Sequence, residues 1–308
     1  MPEYLLSYVL TAHNQLPALR SALERLVAAR LSNEEIIVVD GGSTDGTLDY
    51  LQSLRASGQI EQLLSEPSKN EAHALNKGFV MARGQFLKII TLADAFCLPA
   101  LREATGFMQA HPEVDALVGN TAALQLPGTS HLLLHDHAEV RFRRWFEHKE
   151  VVSLPGLSLL VRREALALTG FLHTGVAQVE QEYTYRLTSL NVTLAWSTAV
   201  LATYIRPAAP ATRQSTKLAN EAERINFFHD KQQGSQMLRR IWRKSAVASM
   251  LPRPEPKGRQ LPMAVGADNP EKGLVAACEA AMMQHNAAHP TEFVFRIQQI
   301  TKAFQKPV

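Results

Sequence analysis

Residues 36–47 read IIVVDGGSTDGT, Ile36 to Thr47, and this stretch decides the fold class. Ile36 to Val39 is β-branched without a polar interruption. Such a run reads as a strand buried on both faces, the kind found inside parallel sheets. Asp40 stands at its carboxyl end. Gly41 and Gly42 let the backbone turn sharply and come close to a ligand. Ser43 or Asp45 can cap a helix that begins near Thr47. In open α/β sheets, ligands bind outside the carboxyl ends of the strands. The stretch therefore sets an acid and a bare backbone where a nucleotide would lie. A turn with good capping chemistry has the same sequence, so the neighbouring segments must decide.

Those segments alternate. Tyr4 to Thr11 reads as a strand and Pro17 to Ala29 as a helix. Leu48 to Arg55 is the next helix, Gln59 to Leu64 a weaker strand, Glu71 to Ala82 a third helix and Phe86 to Ile90 a strand. This is βαβ logic, with a parallel sheet and helices on both sides. After about Gly119 the pattern becomes irregular. Ala122 to Leu126, Leu132 to Leu134 and Leu157 to Val161 read as short strands. Glu164 to Leu168 is a short helix ended by Gly170, and Val179 to Leu190 a longer one. Val192 to Trp196 and Leu201 to Arg206 read as two strands. From Thr216 the chain turns helical as far as Met250. Pro252 to Pro262 holds four prolines and reads as a linker. Asn269 to Gln284 and Thr291 to Phe304 are expected as helices. The expected organisation is one α/β domain over residues 1–210 and a helical extension over 211–308.

Composition bounds the function. At 308 residues and 46% hydrophobic, the chain can bury a large core. A net charge of +3 is too mild for a nucleic-acid binder with a concentrated basic face. Cys97 and Cys278 are far apart and match no metal spacing, which points to a reducing compartment. No signal peptide and no run of 18 apolar residues is present, so a cytoplasmic protein is expected.

Four segments, in order, resemble the family 2 glycosyltransferases of the GT-A fold. VVDGGSTDGT (Val38 to Thr47) is similar to the family's nucleotide-binding turn. SEPSKNEAHALNKGF (Ser65 to Phe79) is similar to its SEPD-x-G-x-x-x-A-x-N-x-G-F segment. GQFLKIITLADAF (Gly84 to Phe96) lies where the family has a strand ending in an acidic metal motif. GFLHTGVAQVEQEYTYRL (Gly170 to Leu187) resembles the segment that carries the catalytic base. The likeness spans roughly residues 4–206.

The resemblance implies a Rossmann-like mixed sheet flanked by helices and an inverting transfer from a nucleotide sugar. A UDP- or GDP-sugar is the implied donor and a saccharide or lipid-linked hydroxyl the acceptor, in polysaccharide or glycolipid synthesis. Thr11, Asn14, Asp40, Gly41, Gly42, Ser43, Asn76 and Lys77 would hold the donor. Asp94 would bind Mn²⁺ or Mg²⁺, and Glu180 would be the base. Glu180 follows Phe171 by nine positions and precedes Arg186 by six, as the family's base does. Glu182 is the alternative. Such a transfer needs positive charge facing the departing diphosphate and a base for the acceptor proton.

The sequence also departs from the family. Thr91-Leu92-Ala93-Asp94 keeps one acid where relatives have two or three, so the cation site would be weak or would form only with the donor diphosphate. Pro207, Ala208 and Ala209 stand where many relatives place a histidine. Ser68 replaces a common Asp. Lys88 and Arg206 could supply positive charge, or could simply be solvated. The opposing reading is a degenerate relative that binds a nucleotide or a protein without catalysis. A nucleotidyltransferase is disfavoured, because Thr11-Ala12-His13-Asn14 is no phosphate loop. His131, His135, Asp136 and His137 cluster, although their segment reads better as a strand or hairpin than as a metal site. Met237 to Lys244, MLRRIWRK, could touch the inner face of an anionic membrane, or pack with a solvated basic face.

Overall fold

The computed structural model describes residues 3–126, 131–134, 137–190, 192–207, 220–225, 228–229, 259–263 and 270–295. Strands β1 (Tyr4–Ala12), β2 (Glu34–Asp40), β3 (Gln62–Ser65) and β4 (Gly84–Ile89) lie parallel in the order β3-β2-β1-β4. Helices α1 (Leu16–Ala29), α2 (Thr47–Ala56) and α3 (Glu71–Met81) connect them. β2 is buried along its whole length. Ile36 and Val38 join one core cluster and Ile37 the other, as an apolar run between two helical layers requires.

The second half makes the sheet mixed. After β5 (Ala95–Phe96) and α4 (Leu98–Ala110) comes β6 (Ala116–Leu126), then β7 (His131–Leu134) and α5 (His137–His148). A 3₁₀ turn (Gly156–Ser158) leads into β8 (Leu160–Arg162), followed by α6 (Leu166–Thr169), α7 (Val179–Leu190) and β9 (Leu194–Pro207). β8 runs antiparallel to both β4 and β6, and β6 pairs in parallel with β9. The carboxyl ends of β1, β2, β4, β6 and β9 therefore share one edge of the sheet. Helices α1, α2 and α4 cover one face, and α3, α5 and α7 the other.

Four sequence expectations change. Leu157 does not begin a strand. Its carbonyl and amide are taken by side chains, so the chain curls into the 3₁₀ turn first. Val192 to Trp196 and Leu201 to Arg206 are parts of one strand, β9, whose register against β6 shifts around Asn120. The end of the proposed linker is strand β10 (Arg259–Pro262), paired with β7. Thr291 does not start a helix. Phe293 and Val294 form β11 against β9, because Phe293 stacks on Phe107 with ring centroids 4.2 Å apart. The expected helix from Asn269 exists as α8 (Pro270–Ala288) and packs on the α1/α4 face. Helix α5 had no clear sequence signal, since only Ala138, Phe142 and Trp145 are buried among its charged residues. Residues 220–225 are helical. Met237 to Lys244, His135 and Asp136 lie outside the described residues. Among the described residues, no helix is long and apolar enough to cross a membrane.

Candidate active site

The turn after β2 is built by Asp40. Its side chain is fully buried and accepts from the Gly42 amide (3.1 Å), the Ser43 amide (3.1 Å), the Ser43 hydroxyl and the Ser65 hydroxyl (2.7 Å). Burial pushes its pKa up, but the bonds from Ser43, Ser65 and Gly42 outweigh it, and the net shift is downward. Gly42 sits at φ +87°, where a side chain would be strained. Asn14 binds this turn to the one after β1. It donates its amide to the Ser43 hydroxyl (2.9 Å) and accepts from the Thr44 amide (2.8 Å). Thr11 lies opposite Val39 at the ends of β1 and β2. Asp45 accepts from the amides of Leu16 and Thr47, 3.1 Å each. Thr11, Asn14, Asp40, Gly41, Gly42 and Ser43 thus share one knitted surface at the carboxyl edge. Asp40 spends its oxygens on the turn's shape, so what the turn offers a ligand is mainly Gly41, Gly42 and the Asn14 loop.

Two acids lie within reach of each other's charge further along that edge, and adjacent residues of β9 bond to both. Asp94 is 5% exposed. Its Oδ1 accepts from the Ile205 amide (2.9 Å), and its Oδ2 from the Thr91 hydroxyl (2.7 Å). Glu180 opens α7, and its Oε2 accepts from the Tyr204 hydroxyl (3.2 Å). Burial drives the Glu180 pKa up and the Asp94 charge adds to this, while Lys88, Tyr204 and Arg206 oppose it. Lys88 is no solvated cation. It is 1% exposed on β4, with its ammonium on the carbonyls of Leu157 and Leu159 and 5.0 Å from the centre of the Phe96 ring. Burial lowers its pKa to about 7 against the pull of Glu180 and Asp94. Arg206 is exposed and lies over the Tyr204 ring at 4.7 Å. Glu71, at the rim, has its pKa raised by burial of its carboxyl and by Asp94.

The family model described as "Glycosyl transferase family 2" matches residues 7–167, more than half of the chain. The chain belongs to glycosyl transferase family 2. Among curated proteins none matches it in sequence. Its architecture resembles that of solved glycosyltransferases. The Staphylococcus aureus (S. aureus) TarS fragment 1–349, solved with UDP-GlcNAc, is 14% identical with a TM-score of 0.55, over 82% of this chain and 77% of that one. The mannosyltransferase PcManGT of Pyrobaculum calidifontis, solved with GDP-Man and Mn²⁺, is 17% identical with a TM-score of 0.50, over 94% and 77%. At these identities the likeness establishes the GT-A fold.

Set in that fold, several expected site residues of this family 2 member have other work. Asn76 donates to the Leu172 carbonyl (2.8 Å) and accepts from its amide (2.9 Å), which ties α3 to the loop before α7. Lys77 pairs with Glu66 (2.6 Å) and donates to the Pro67 carbonyl (3.0 Å) and Ser68 hydroxyl (3.2 Å). Glu182 is buried in an ion pair with Arg186 (2.6 Å) and faces His229 (3.3 Å). Arg186 in turn donates to the carbonyls of Thr169 and Phe171. Glu182 therefore anchors the helix, and Glu180 is the acid of this pair that lies within reach of the Asp94 charge. Sequence reasoning missed Tyr204 and Gly156, since neither stands in a family motif quoted above.

Among the described residues, the motif Thr91 to Asp94 offers a divalent cation one carboxylate, Asp94, so further ligands would have to come from the donor's phosphates. Asp94 is a single carboxylate with both oxygens already accepting hydrogen bonds. Among the described residues, no group of three or more His, Cys, Asp or Glu side chains could hold a metal. Mg²⁺ and Mn²⁺ want several hard oxygen ligands. A separate cavity of about 250 Å³ lies between α1, α4 and α8, lined mostly by apolar side chains such as Leu26, Phe96 and Met283. It includes neither acid.

Proposed function

We propose that the chain moves a sugar from a nucleoside-diphosphate sugar to an acceptor hydroxyl with inversion, and that Glu180 is the base. The observation that carries this reading is Glu180 itself, a carboxylate with raised proton affinity at a helix start, beside Asp94 at the sheet's carboxyl edge. With Oε2 bonded to Tyr204, Oε1 is the oxygen that would take the acceptor's proton. The acceptor oxygen would form a bond to the anomeric carbon as the bond from that carbon to the diphosphate oxygen breaks. The electron pair would leave with the nucleoside diphosphate, and attack opposite the leaving group would invert the centre. A positioned general base contributes roughly 10²- to 10⁴-fold.

The turn from Asp40 to Ser43 would receive the nucleoside, since its backbone is bare and lies at the carboxyl edge. UDP and GDP are the nucleotides to try first, because TarS and PcManGT were solved with UDP-GlcNAc and GDP-Man. A saccharide or lipid-linked acceptor, in polysaccharide or glycolipid synthesis, completes the reading. Residues 1–210 would form the catalytic unit, extended by β10, α8 and β11.

A second reading, a nucleotide binder without catalysis, is favoured by the reduction of the acidic motif to Asp94. Calorimetry with UDP and GDP, followed by assays of transfer and of donor hydrolysis, separates the two. Nucleotide binding with turnover that Glu180→Gln abolishes supports the transferase. Binding with no turnover in wild type supports the binder. Absence of nucleotide binding at millimolar concentration sinks both.

A further inference from the structure

Lys88 poses a physical problem. A lysine near the carboxyl end of a strand, with 1% of its surface exposed, is costly unless its ammonium is satisfied. Its partners are unusual. They are the carbonyls of Leu157 and Leu159, on either side of the residue that ends the 3₁₀ turn. Those carbonyls belong to irregular backbone just ahead of β8. The ammonium thus pins a turn that sheet bonding does not hold. Ser158 pins the same turn from the other side, donating to the Gly119 carbonyl (2.8 Å) and accepting from its amide (3.3 Å).

The pinned turn touches the base twice. The Leu157 amide donates to the Tyr204 hydroxyl (3.1 Å), and that hydroxyl donates to Glu180 Oε2 (3.2 Å). A tyrosine oxygen that must accept from an amide has its single proton directed elsewhere, here to the carboxylate. The second touch is steric. A Cβ on Gly156 would lie 2.4 Å from Glu180 Cβ and 2.9 Å from its Cγ, so the glutamate lies flat against bare backbone. One turn therefore sets both the side-chain path of Glu180 and the orientation of one of its oxygens.

We propose that the turn Gly156–Ser158, clamped by Lys88, is the device that positions the Glu180 base, with Tyr204 as its arm. This rests on the reading of Glu180 as the base. Lys88, Gly156 and Tyr204 are positioning residues, and Lys88 acts through the Leu157 and Leu159 carbonyls. A small displacement of a reacting group costs up to about 10²-fold in rate. The loss should fall on kcat, since the donor turn after β2 is untouched.

The test uses the full chain with Gly156→Ala, Tyr204→Phe, Lys88→Met, the Lys88→Met/Tyr204→Phe double variant, and each single change in a Glu180→Gln background. Donor affinity is read by calorimetry, and kcat and KM by transfer or donor-hydrolysis assay. Each single variant should lower kcat about 10- to 100-fold with donor Kd within about two-fold. The double variant should be no slower than the slower single one, because both act along one path. In the Glu180→Gln background none should slow the residual rate further. A role in folding alone would lower activity in that background as well. If Lys88→Met does not fold, Gly156→Ala and Tyr204→Phe decide, since neither leaves a buried charge unpaired. Wild-type kcat in those two variants overturns the proposal, as does additivity in the double variant. If Glu180→Gln keeps full activity, the base reading itself fails. If Glu180→Gln is inactive while the turn variants run at the wild-type rate, only the positioning device fails.

Discussion

The two edges of the sheet both bury acids, and they treat them differently. At the amino end of β2, Glu35 accepts from the Ser7 hydroxyl (2.6 Å), the Gly84 amide (3.1 Å) and the Arg83 amide (2.6 Å), and pairs with the Arg83 guanidinium (3.2 Å). Its neighbour Glu34 pairs with Arg102 (2.7 Å) and accepts from Tyr8 (3.2 Å). Each has an arginine of its own. At the carboxyl edge, Glu180 and Asp94 have no ion-pair partner among the described residues. They share the field of Lys88, and Glu180 keeps a raised proton affinity. An acid matched to an arginine closes a fold. On the proposed reading of Glu180 as the base, the difference separates a structural carboxylate, Glu35, from a chemical one, Glu180.

The sharpest way to break the contrast is Glu180→Gln. Transfer is expected to fall roughly 10²- to 10⁴-fold while donor binding holds within a few-fold. The stability sign should run the other way. The folded pKa of Glu180 is raised, so its contribution is present below the ordinary value and is lost as pH rises through the folded one. The variant cannot ionise, so its melting temperature should gain on wild type as pH rises above the ordinary carboxylate value of 4.5. Paired melts that stay parallel over that range would remove the buried-base argument. At the opposite edge, Glu35→Ala should leave kcat per folded molecule unchanged and cost about 1–3 kcal/mol in a urea titration, by stranding the buried Ser7 hydroxyl and Gly84 amide. A loss of turnover without a loss of stability there would erase the distinction between the edges.

A finer test concerns Lys88. Its pKa falls from 10.5 in the unfolded chain to about 7 in the fold. Between those values the unfolded chain binds more protons, so this group makes stability rise with pH. Lys88→Met lacks that slope. Measured against wild type, its melting temperature should look best at pH 7 and lose ground towards pH 10, whatever the cost of the two freed carbonyls. An unchanged difference would mean that the ammonium stays charged when buried. The smallest expected effect lies at the donor turn. Gly42→Ala forces a side chain onto φ +87° and should cost about 1–2 kcal/mol, with weaker nucleotide binding and little change in the pH dependence of turnover.

By itself the sequence determined the βαβ half and the kind of chemistry to look for. The apolar run Ile36 to Val39, its terminal Asp40 and the two glycines after it are local signals. They act through backbone sterics and burial on both faces, which short-range pattern expresses well. Helix α7 was legible to the residue, because its apolar spacing and its paired acids both lie within the helix. What lay between distant segments was not legible. That Lys88 is buried follows from where residues 157–159 cross it, some seventy positions later in the chain. That Asn76 serves the loop at Leu172, and Glu182 serves Arg186 and His229, depends on which partners the packed helices bring within hydrogen-bond reach. Strands β10 and β11 were hidden for the same reason, since each exists only through pairing with β7 or β9. Residue type and spacing fix what a side chain can do. Only tertiary packing decides which of its possible partners is there, and therefore which carboxylate is left free to react.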